Sequence, residues 1–321
     1  TQNAVAGVAS TDPVVRRHGD RLYIINRFGA DNVTVLDAGT LELVAQISTG
    51  PGSNPQDVAV DGDLLYVATM AGDGVAILDL TDPDAGVIDT IDLSPLDSAD
   101  DTPNCQTLAL RGRHLMVACG VLNDETFEPR QAGRVAVIDL DTGEPTDVVS
   151  MANERPFGFG LLLPEDSVLG VDFLISTAPD FVDPDAVGCV EGVTLDSSDG
   201  TVEVACVMEN AELGGFAAAL AHDPARDAVW VAVTSRFDST DFGPIGHVRG
   251  YDAASASLGD RVTPEEVRPI DLAVCPGGHV LVADATRGLR VYRPGMSDEV
   301  TRGPLDLGLP PVSGGLVCLR R

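Results

Sequence analysis

The sequence predicts an all-β protein, a β-propeller of six to seven four-stranded blades, and three observations support this fold class. Residues 22–38, LYIINRFGADNVTVLDA, recur as LLYVATMAGDGVAILDL at 64–80, about 43 residues further along the chain. Each copy contains short apolar strands separated by turns that carry Gly or Pro. Four strands repeated every ~40–55 residues are typical of propeller blades, which bury their apolar faces against one another.

Six copies can be followed along one expected domain, residues 1–321. They begin near residues 12, 54, 103, 155, 213 and 268. Their second strands are RLYIINRF, LLYVATM, HLMVACG, VLGVDFLIS, AVWVAVTS and HVLVADA. Residues 3–11 resemble a fourth strand and residues 313–320 resemble a first strand, so we expect the termini, residues 1–11 and 312–321, to pair and close the ring. These strands fit either six blades or six blades with an incomplete seventh.

The third strand of several copies ends at an Asp that opens a turn. These residues are Asp37, Asp79, Asp139 and Asp252. Because an Asp side chain can bond the backbone two residues further on, we interpret them as turn-forming residues and not as catalytic ones.

The charge balance excludes several function classes. The chain has 20 basic residues, all of them Arg, against 50 acidic residues, for a net charge of −30. Without Lys, neither a Schiff-base lysine nor a Walker-type phosphate loop is available. Such an acidic surface repels nucleic acid and suits a cation or a basic protein partner. No apolar run approaches the ~20 residues of a transmembrane helix, so we expect no membrane span.

The six cysteines predict three disulfides. Two pairs flank tight turns, which would place the partners face to face across a hairpin, and the third pair is separated by one repeat length. The expected pairs are Cys105–Cys119, Cys189–Cys206 and Cys275–Cys318. Because disulfides persist in oxidising compartments, we expect an extracytoplasmic protein, periplasmic, surface-bound or secreted. An export signal would then have been removed, and a cytosolic protein is the alternative. Six buried free thiols are the alternative.

Residues 54–80, NPQDVAVDGDLLYVATMAGDGVAILDL, and residues 18–50 resemble the repeats of the YVTN-repeat β-propeller family. Shared features are a Pro before the inner strand, a Gly turn, a Leu-Tyr-Val-Ala strand and a third strand that ends in Asp. The resemblance extends over residues 18–82 and 113–150. It implies a propeller that is exported or attached to the surface, for example as a lipoprotein. Propellers of this kind serve in binding and scaffolding, and some are lactonases or dehydrogenases.

Long loops between the second and third strands predict a binding face. They are GVLNDETFEPRQAG, STAPDFVDPDAVG and TSRFDSTDFGPIG, in copies three, four and five. On this face we expect binding residues that could grip a carboxylate or phosphate, or pair with nearby acids: Arg27, Arg155, Arg236, Arg268 and His247. Oxygen-rich loops suit Ca²⁺ as a possible cofactor, with candidate ligands Asp180, Asp183, Asp185, Asp238 and Asp241. The alternative is that these carboxylates are solvated.

The motifs assign no catalytic residue, because G-x-S-x-G, H-E-x-x-H and a strand-linked G-x-G-x-x-G are all missing from the sequence. We therefore favour a non-enzymatic propeller that binds a protein, peptide or cell-envelope partner through its loop-rich face. Two alternatives remain open: an enzyme of the lactonase or dehydrogenase kind, and a metal or electron-transfer protein that docks a basic partner by charge.

Overall fold

The computed structural model describes residues 9–10, 12–153, 156, 159–177, 188–264, 267–286, 288–296, 298–308 and 311–319. These residues form the six blades of an all-β propeller, which confirms the predicted fold class. Within each sheet the strands pair in sequence order and antiparallel, so each blade is an up-and-down meander. Over the described residues five sheets have four strands and the sixth has three.

The chain divides into two compact units. Unit 1 comprises residues 1–156, 195–204 and 321, and unit 2 comprises residues 157–194 and 205–320. Blade 1 contains β1 (Pro13–His18), β2 (Arg21–Asn26), β3 (Asn32–Asp37) and β4 (Leu43–Ser48). Blade 2 contains β5 (Pro55–Asp61), β6 (Leu64–Thr69), β7 (Gly74–Asp79) and β8 (Val87–Asp92). Blade 3 contains β9 (Cys105–Arg111), β10 (His114–Cys119), β11 (Arg134–Asp139) and β12 (Glu144–Ser150).

The remaining strands form blades 4 to 6. Blade 4 contains β13 (Leu161–Leu162), β14 (Phe173–Ser176), β15 (Cys189–Asp196) and β16 (Thr201–Glu209). Blade 5 contains β17 (Phe216–Asp223), β18 (Ala228–Phe237), β19 (Pro244–Asp252) and β20 (Ser257–Arg261). Blade 6 contains β21 (Pro269–Val274), β22 (Val280–Asp284) and β23 (Gly288–Tyr292). The short helices are α1 (Asn210–Leu213) and the 3-10 turns Pro83–Ala85, Ser94–Leu96 and Pro294–Met296.

Burial changes across a blade in the way that the sequence pattern indicates. β2 and β3 are buried over most of their length, because a strand covered on both faces reads as a nearly continuous apolar run. The outer strand β4 is mostly exposed, and Ile47 is its one fully buried residue. Apolar clusters join neighbouring blades within each unit, such as Tyr66 with Leu115 in unit 1 and Trp230 with Leu272 in unit 2.

The Asp residues at the ends of third strands form turns, as the sequence analysis expects. The Asp37 carboxylate accepts the backbone N–H groups of Thr40 (2.9 Å) and Gly39 (3.0 Å). These bonds, led by the one from Thr40, lower the pKa of Asp37. Asp252 accepts the backbone N–H of Ser255 in the same way (2.8 Å). These carboxylates are occupied in stabilising turns.

A buried carboxylate joins the first strands of blades 1, 2 and 3. Asp57 in β5 accepts the Arg16 guanidinium of β1 at 2.7 Å. Its second oxygen accepts the Thr107 hydroxyl of β9 at 2.7 Å and the Leu108 backbone N–H at 3.4 Å. Asp57 is only 2% exposed, so the charge is almost completely removed from solvent. We infer that this carboxylate fixes three neighbouring blades of unit 1 in register.

Blade 6 repeats part of this arrangement. Asp271 in β21 accepts the backbone N–H of Leu316 at 2.8 Å, as Asp57 accepts that of Leu108 in the next first strand. Residues 311–319 therefore lie beside β21. Ring closure by residues 1–11 stays a prediction, because residues 1–8 and 11 lie outside the described residues.

The three disulfides pair as the sequence predicts: Cys105–Cys119, Cys189–Cys206 and Cys275–Cys318. Cys105 and Cys119 face each other directly across the β9–β10 ladder. Cys275 lies just after β21 and bonds Cys318, close to the Asp271–Leu316 contact. Three disulfides are consistent with an oxidising environment. Among the helices of the described chain, none has the length and apolar character to cross a membrane.

Candidate functional site

The loops that follow second and fourth strands lie at one end of the blades, because adjacent strands run antiparallel. In unit 1 they comprise residues 27–31, 70–73 and 120–133 between second and third strands, and 49–54 and 93–104 between blades. We call these residues the loop face. The turns at the other end of the same blades, residues 19–20, 38–42, 62–63, 80–86, 112–113 and 140–143, are called the turn face.

Two asparagines link successive loops of the loop face. Asn54 and Asn104 precede the first strands of blades 2 and 3 with φ angles of 47° and 55°, a left-handed conformation that Asn tolerates. The Asn54 side chain accepts the backbone N–H of Phe28 (3.1 Å), and its carbonyl accepts that of Met70 (3.1 Å). Asn104 donates to the Met70 carbonyl (3.1 Å) and accepts the backbone N–H of Leu122 (2.7 Å). A continuous chain of hydrogen bonds therefore runs from blade 1 to blade 3.

Arg27, a predicted binding residue, is held by its own neighbours. Its guanidinium contacts the Asp12 carboxylate at 2.5 Å and donates to the Gln56 side chain at 3.2 Å. In the same loop, Asp31 accepts the backbone N–H of Asn54 at 3.1 Å. These contacts attach the blade 1 loop to blade 2 and use much of the Arg27 hydrogen-bonding capacity.

Arg130, which was not predicted as a site residue, fixes the longest loop of this face, residues 120–133. Arg130 donates to Asp97 (3.1 Å) and contacts Asp100 (2.6 Å), both in the connection between blades 2 and 3. The hydrogen bond to Asp100 raises the pKa of Arg130. The neighbouring Gln131 donates to the Leu96 carbonyl at 3.2 Å. The loop is thereby tied to the chain segment that precedes its own blade.

Because these arginines pair with carboxylates, the exposed charge that remains on the loop face is mainly acidic. Its exposed acidic residues include Asp73, Asp101, Asp124, Glu125 and Glu128. Such a surface complements a basic partner and repels anionic ones.

In unit 2, a predicted binding arginine and two predicted calcium ligands contact one another. Arg268 donates to Asp238 at 2.9 Å and to Asp241 at 2.7 Å. The hydrogen bond to Asp241 raises the pKa of Arg268. The Gly243 backbone N–H and the Arg268 guanidinium lower the pKa of Asp241. Both carboxylates therefore compensate a guanidinium charge, which competes with any cation for their oxygens.

The calcium prediction stays untested. Three of its candidate ligands, Asp180, Asp183 and Asp185, lie outside the described residues, as does the predicted binding residue Arg155. Within the part of the chain that the structure describes, no group of three or more His, Cys, Asp or Glu residues is arranged to hold a metal ion.

The last two predicted binding residues lie in blade 5. Arg236 is exposed near the end of β18. His247 in β19 is 2% exposed; its Nε2 donates to the Leu213 carbonyl at 3.1 Å, so its Nδ1 accepts the Ser235 hydroxyl at 3.2 Å. Burial, with the charge of Arg261, lowers the pKa of His247 to about 4. The imidazole is therefore neutral at physiological pH and has both nitrogens bonded.

This burial predicts an acid-sensitive contribution to stability. The folded-state pKa of His247, about 4, is below the ordinary 6.5, so its contribution is complete above pH 6.5 and is lost as the pH falls towards 4. The full shift corresponds to a loss of up to about 3 kcal/mol in the free energy of unfolding. Urea unfolding of wild type and His247→Gln at several pH values measures it. The wild type should lose more stability than the variant over this range, and equal losses would contradict the assignment.

Asn54, Asn104 and Arg130 organise the loop face but were not predicted as site residues from the sequence. A signal for the asparagines was present: Asn-x-Gln occurs at 54–56 and again at 104–106, each time directly before or at the start of a first strand. Arg130 has no such signal, because its partners are about 30 residues away in the chain and only the fold brings them together.

A separate cavity opens on the turn face, between blades 1 and 2. It has a volume of about 400 Å³ and is lined by buried Tyr23 and Val35 and by exposed Asp20 and Asp63. Its size falls within the range of small-molecule sites. None of the predicted binding residues lines it.

Comparison with solved structures shows the fold. The chain is similar to the WD40 domain of Neurospora crassa Pan2, with a TM-score of 0.58 and 12% identity over 97% of this chain and 79% of that one. It is also similar to PorZ, a surface component of the type-IX secretion system of Porphyromonas gingivalis, with a TM-score of 0.67 and 14% identity. That match covers 100% of this chain but 45% of PorZ. The computationally designed Ika8 protein matches with a TM-score of 0.54 and 10% identity over 91% of this chain and 76% of Ika8.

No protein-family model matches the chain, and no curated protein matches it by sequence. The resemblance to YVTN repeats is therefore not supported by a family match. The similarity to the solved structures concerns the propeller fold alone.

Proposed function

We propose that this protein is an exported, non-enzymatic propeller of the YVTN-repeat type that binds a protein partner through the loop face. The observation that carries the proposal is the hydrogen-bonded chain from Phe28 through Asn54, Met70 and Asn104 to Leu122. A surface whose loops are already ordered loses little conformational entropy on binding, which favours affinity.

Two further observations support this function. The arginines of the loop face pair internally, which leaves an acidic surface that suits a basic protein. A propeller of similar fold is a surface component of a secretion system, a role consistent with an exported interaction protein. The three disulfides favour an extracytoplasmic location, whether periplasmic, lipid-anchored at the surface or secreted.

Charge reversal on each face tests the proposal. Asp73→Arg with Glu125→Arg changes the loop face, and Asp63→Arg with Glu144→Arg makes the same change in charge at the other end of the blades; all four side chains are exposed. Quantitative affinity capture from a cell-envelope fraction compares both variants with wild type. We expect the loop-face variant to capture its specific partner in an amount about tenfold or more below that of the wild type, because like charges then meet in the interface.

The control variant should retain that partner. Equal loss in both variants, or loss only in the turn-face variant, would contradict the proposal.

A further inference from the structure

Two phenylalanine rings project from the acidic loop face. Phe28 is 79% exposed in the blade 1 loop, and Phe127 is 51% exposed in the blade 3 loop. Burying an aromatic ring normally stabilises a fold, yet the Phe28 ring leaves most of its surface in solvent at a loop tip. Both rings lie on the end of unit 1 whose loops the asparagines link together.

The backbone at these positions disfavours a bulky residue. Phe28 and Phe127 have φ angles of 43° and 57°, in the left-handed region that favours Gly. The turn of Phe127 closes with a hydrogen bond from its N–H to the Asn123 carbonyl (2.7 Å), and the Asp139 turn closes with the same bond from Gly143 (2.8 Å). At the position where that turn uses Gly, the loop face carries a phenyl ring. The backbone of this turn therefore gives no reason for a large side chain at this position.

The polypeptide holds both rings at defined positions. The N–H of Phe28 donates to Asn54, and the preceding Arg27 is held by Asp12. The Phe127 turn is closed by the Asn123 side chain, which accepts the backbone N–H of Glu125 at 2.9 Å. Rings mounted on ordered turns lose little entropy when a partner covers them.

Unit 2 contains an independent instance of the same turn. Phe242 is 80% exposed with a φ of 57°, and its N–H donates to the Asp238 carbonyl at 2.9 Å. The sequences NDETFE at 123–128 and DSTDFG at 238–243 both place Phe at the fifth position of a turn rich in carboxylates. An exposed Phe at the fifth position of a carboxylate-rich turn therefore occurs in both units.

We propose that Phe28 and Phe127 are the apolar anchors of the loop face and insert into apolar pockets of a partner protein whose pockets are rimmed by Lys or Arg. The inference rests on the proposed function and adds the chemistry of the partner. Aromatic residues supply most of the binding energy at protein interfaces when they enter desolvated pockets. The carboxylates beside Phe127, Asp124 and Glu125, select a basic rim and disfavour an anionic lipid surface.

A random-peptide phage library panned against the folded chain supplies the probe. All enriched peptides are resynthesised, without counter-selection against any variant, and their affinities for the wild type and for each variant are measured by calorimetry. The expected peptides combine Lys or Arg with apolar residues. They should bind each single Phe→Gly variant about tenfold more weakly, a typical loss for a buried aromatic anchor, and should weaken at high salt.

Leu41→Gly is the matched control. Leu41 is 40% exposed with a φ of 63° in a turn closed by the same bond to Asp37 (2.8 Å), but it lies on the turn face. This control should bind the peptides as the wild type does. Because Gly suits the left-handed backbone, Phe28→Gly and Leu41→Gly should not melt below the wild type. The melting temperature of every variant, Phe127→Gly included, separates a folding defect from a binding defect.

The outcomes are distinct. Peptides that bind the double Phe variant as tightly as wild type, but not the Asp73→Arg/Glu125→Arg variant, would overturn this inference and leave the proposed function standing. Peptides indifferent to both variants, or no enriched peptide at all, would contradict both. Acidic peptides, or ring-dependent binding to phosphatidylglycerol vesicles in place of basic peptides, would also overturn the inference.

Discussion

Asp57→Ala is expected to lower the free energy of unfolding by about 3 kcal/mol, because it removes the buried acceptor of an ion pair and of two hydrogen bonds. The substitution takes the carboxylate from the Arg16 guanidinium (2.7 Å) and from the Thr107 hydroxyl (2.7 Å). These groups belong to the first strands of three successive blades, so the loss acts on the packing of unit 1 as a whole. Urea unfolding followed by circular dichroism measures the change.

Asp61→Ala is the control for this prediction. It removes a carboxylate from the same strand, β5, but at an exposed position. Its effect should stay within about 0.5 kcal/mol, as for most surface substitutions. If Asp57→Ala were as mild as Asp61→Ala, Asp57 would not join the blades in the way described.

Loss of the Cys275–Cys318 disulfide should be comparably large. The bond closes a chain separation of 43 residues. Loop-closure entropy for a loop of this length corresponds to about 4 kcal/mol in the free energy of unfolding. The double variant Cys275→Ala/Cys318→Ala, unfolded in urea, gives the value directly. The same bond holds residues 311–319 near β21, where Leu316 donates to Asp271, so its loss should also increase amide exchange in that segment.

Cys105→Ala/Cys119→Ala provides the comparison. This pair closes a separation of 14 residues in a hairpin that β9 and β10 already hold by hydrogen bonds. Its removal should therefore cost less, about 3 kcal/mol or below. A larger loss from the Cys105–Cys119 pair than from the Cys275–Cys318 pair would contradict the idea that the latter acts as a long-range clasp.

The blades could be predicted from the sequence because the residues that specify their strands and turns are close together in the chain and recur in each copy. Tyr23 and Tyr66 occupy corresponding second strands, and the Asp37 turn uses contacts within a few residues. Two of the disulfides followed from hairpin geometry, as the facing positions of Cys105 and Cys119 show, and the third followed from a separation of one repeat length. Repetition of this kind makes strand order predictable without knowledge of distant contacts.

The candidate site was harder to predict because its contacts are distant in the chain. Arg130 and Asp97 are 33 residues apart in the chain, and Arg268 contacts Asp238 and Asp241 from 30 and 27 residues away. The exposed phenylalanines were not predicted for another reason. Hydrophobic residues are normally assigned to the core, and only a structure shows that Phe28 is exposed to solvent.

The most direct measurement of the central claim is hydrogen exchange of the chain with and without the selected basic peptide, read by mass spectrometry. The account predicts that the peptide slows exchange at residues 27–31 and 120–133, on the loop face. Residues 19–20 and 38–42, on the turn face of blade 1, should exchange as before. Protection confined to the turn face, or spread evenly over both ends of the blades, would contradict the claim that the loop face is the binding surface.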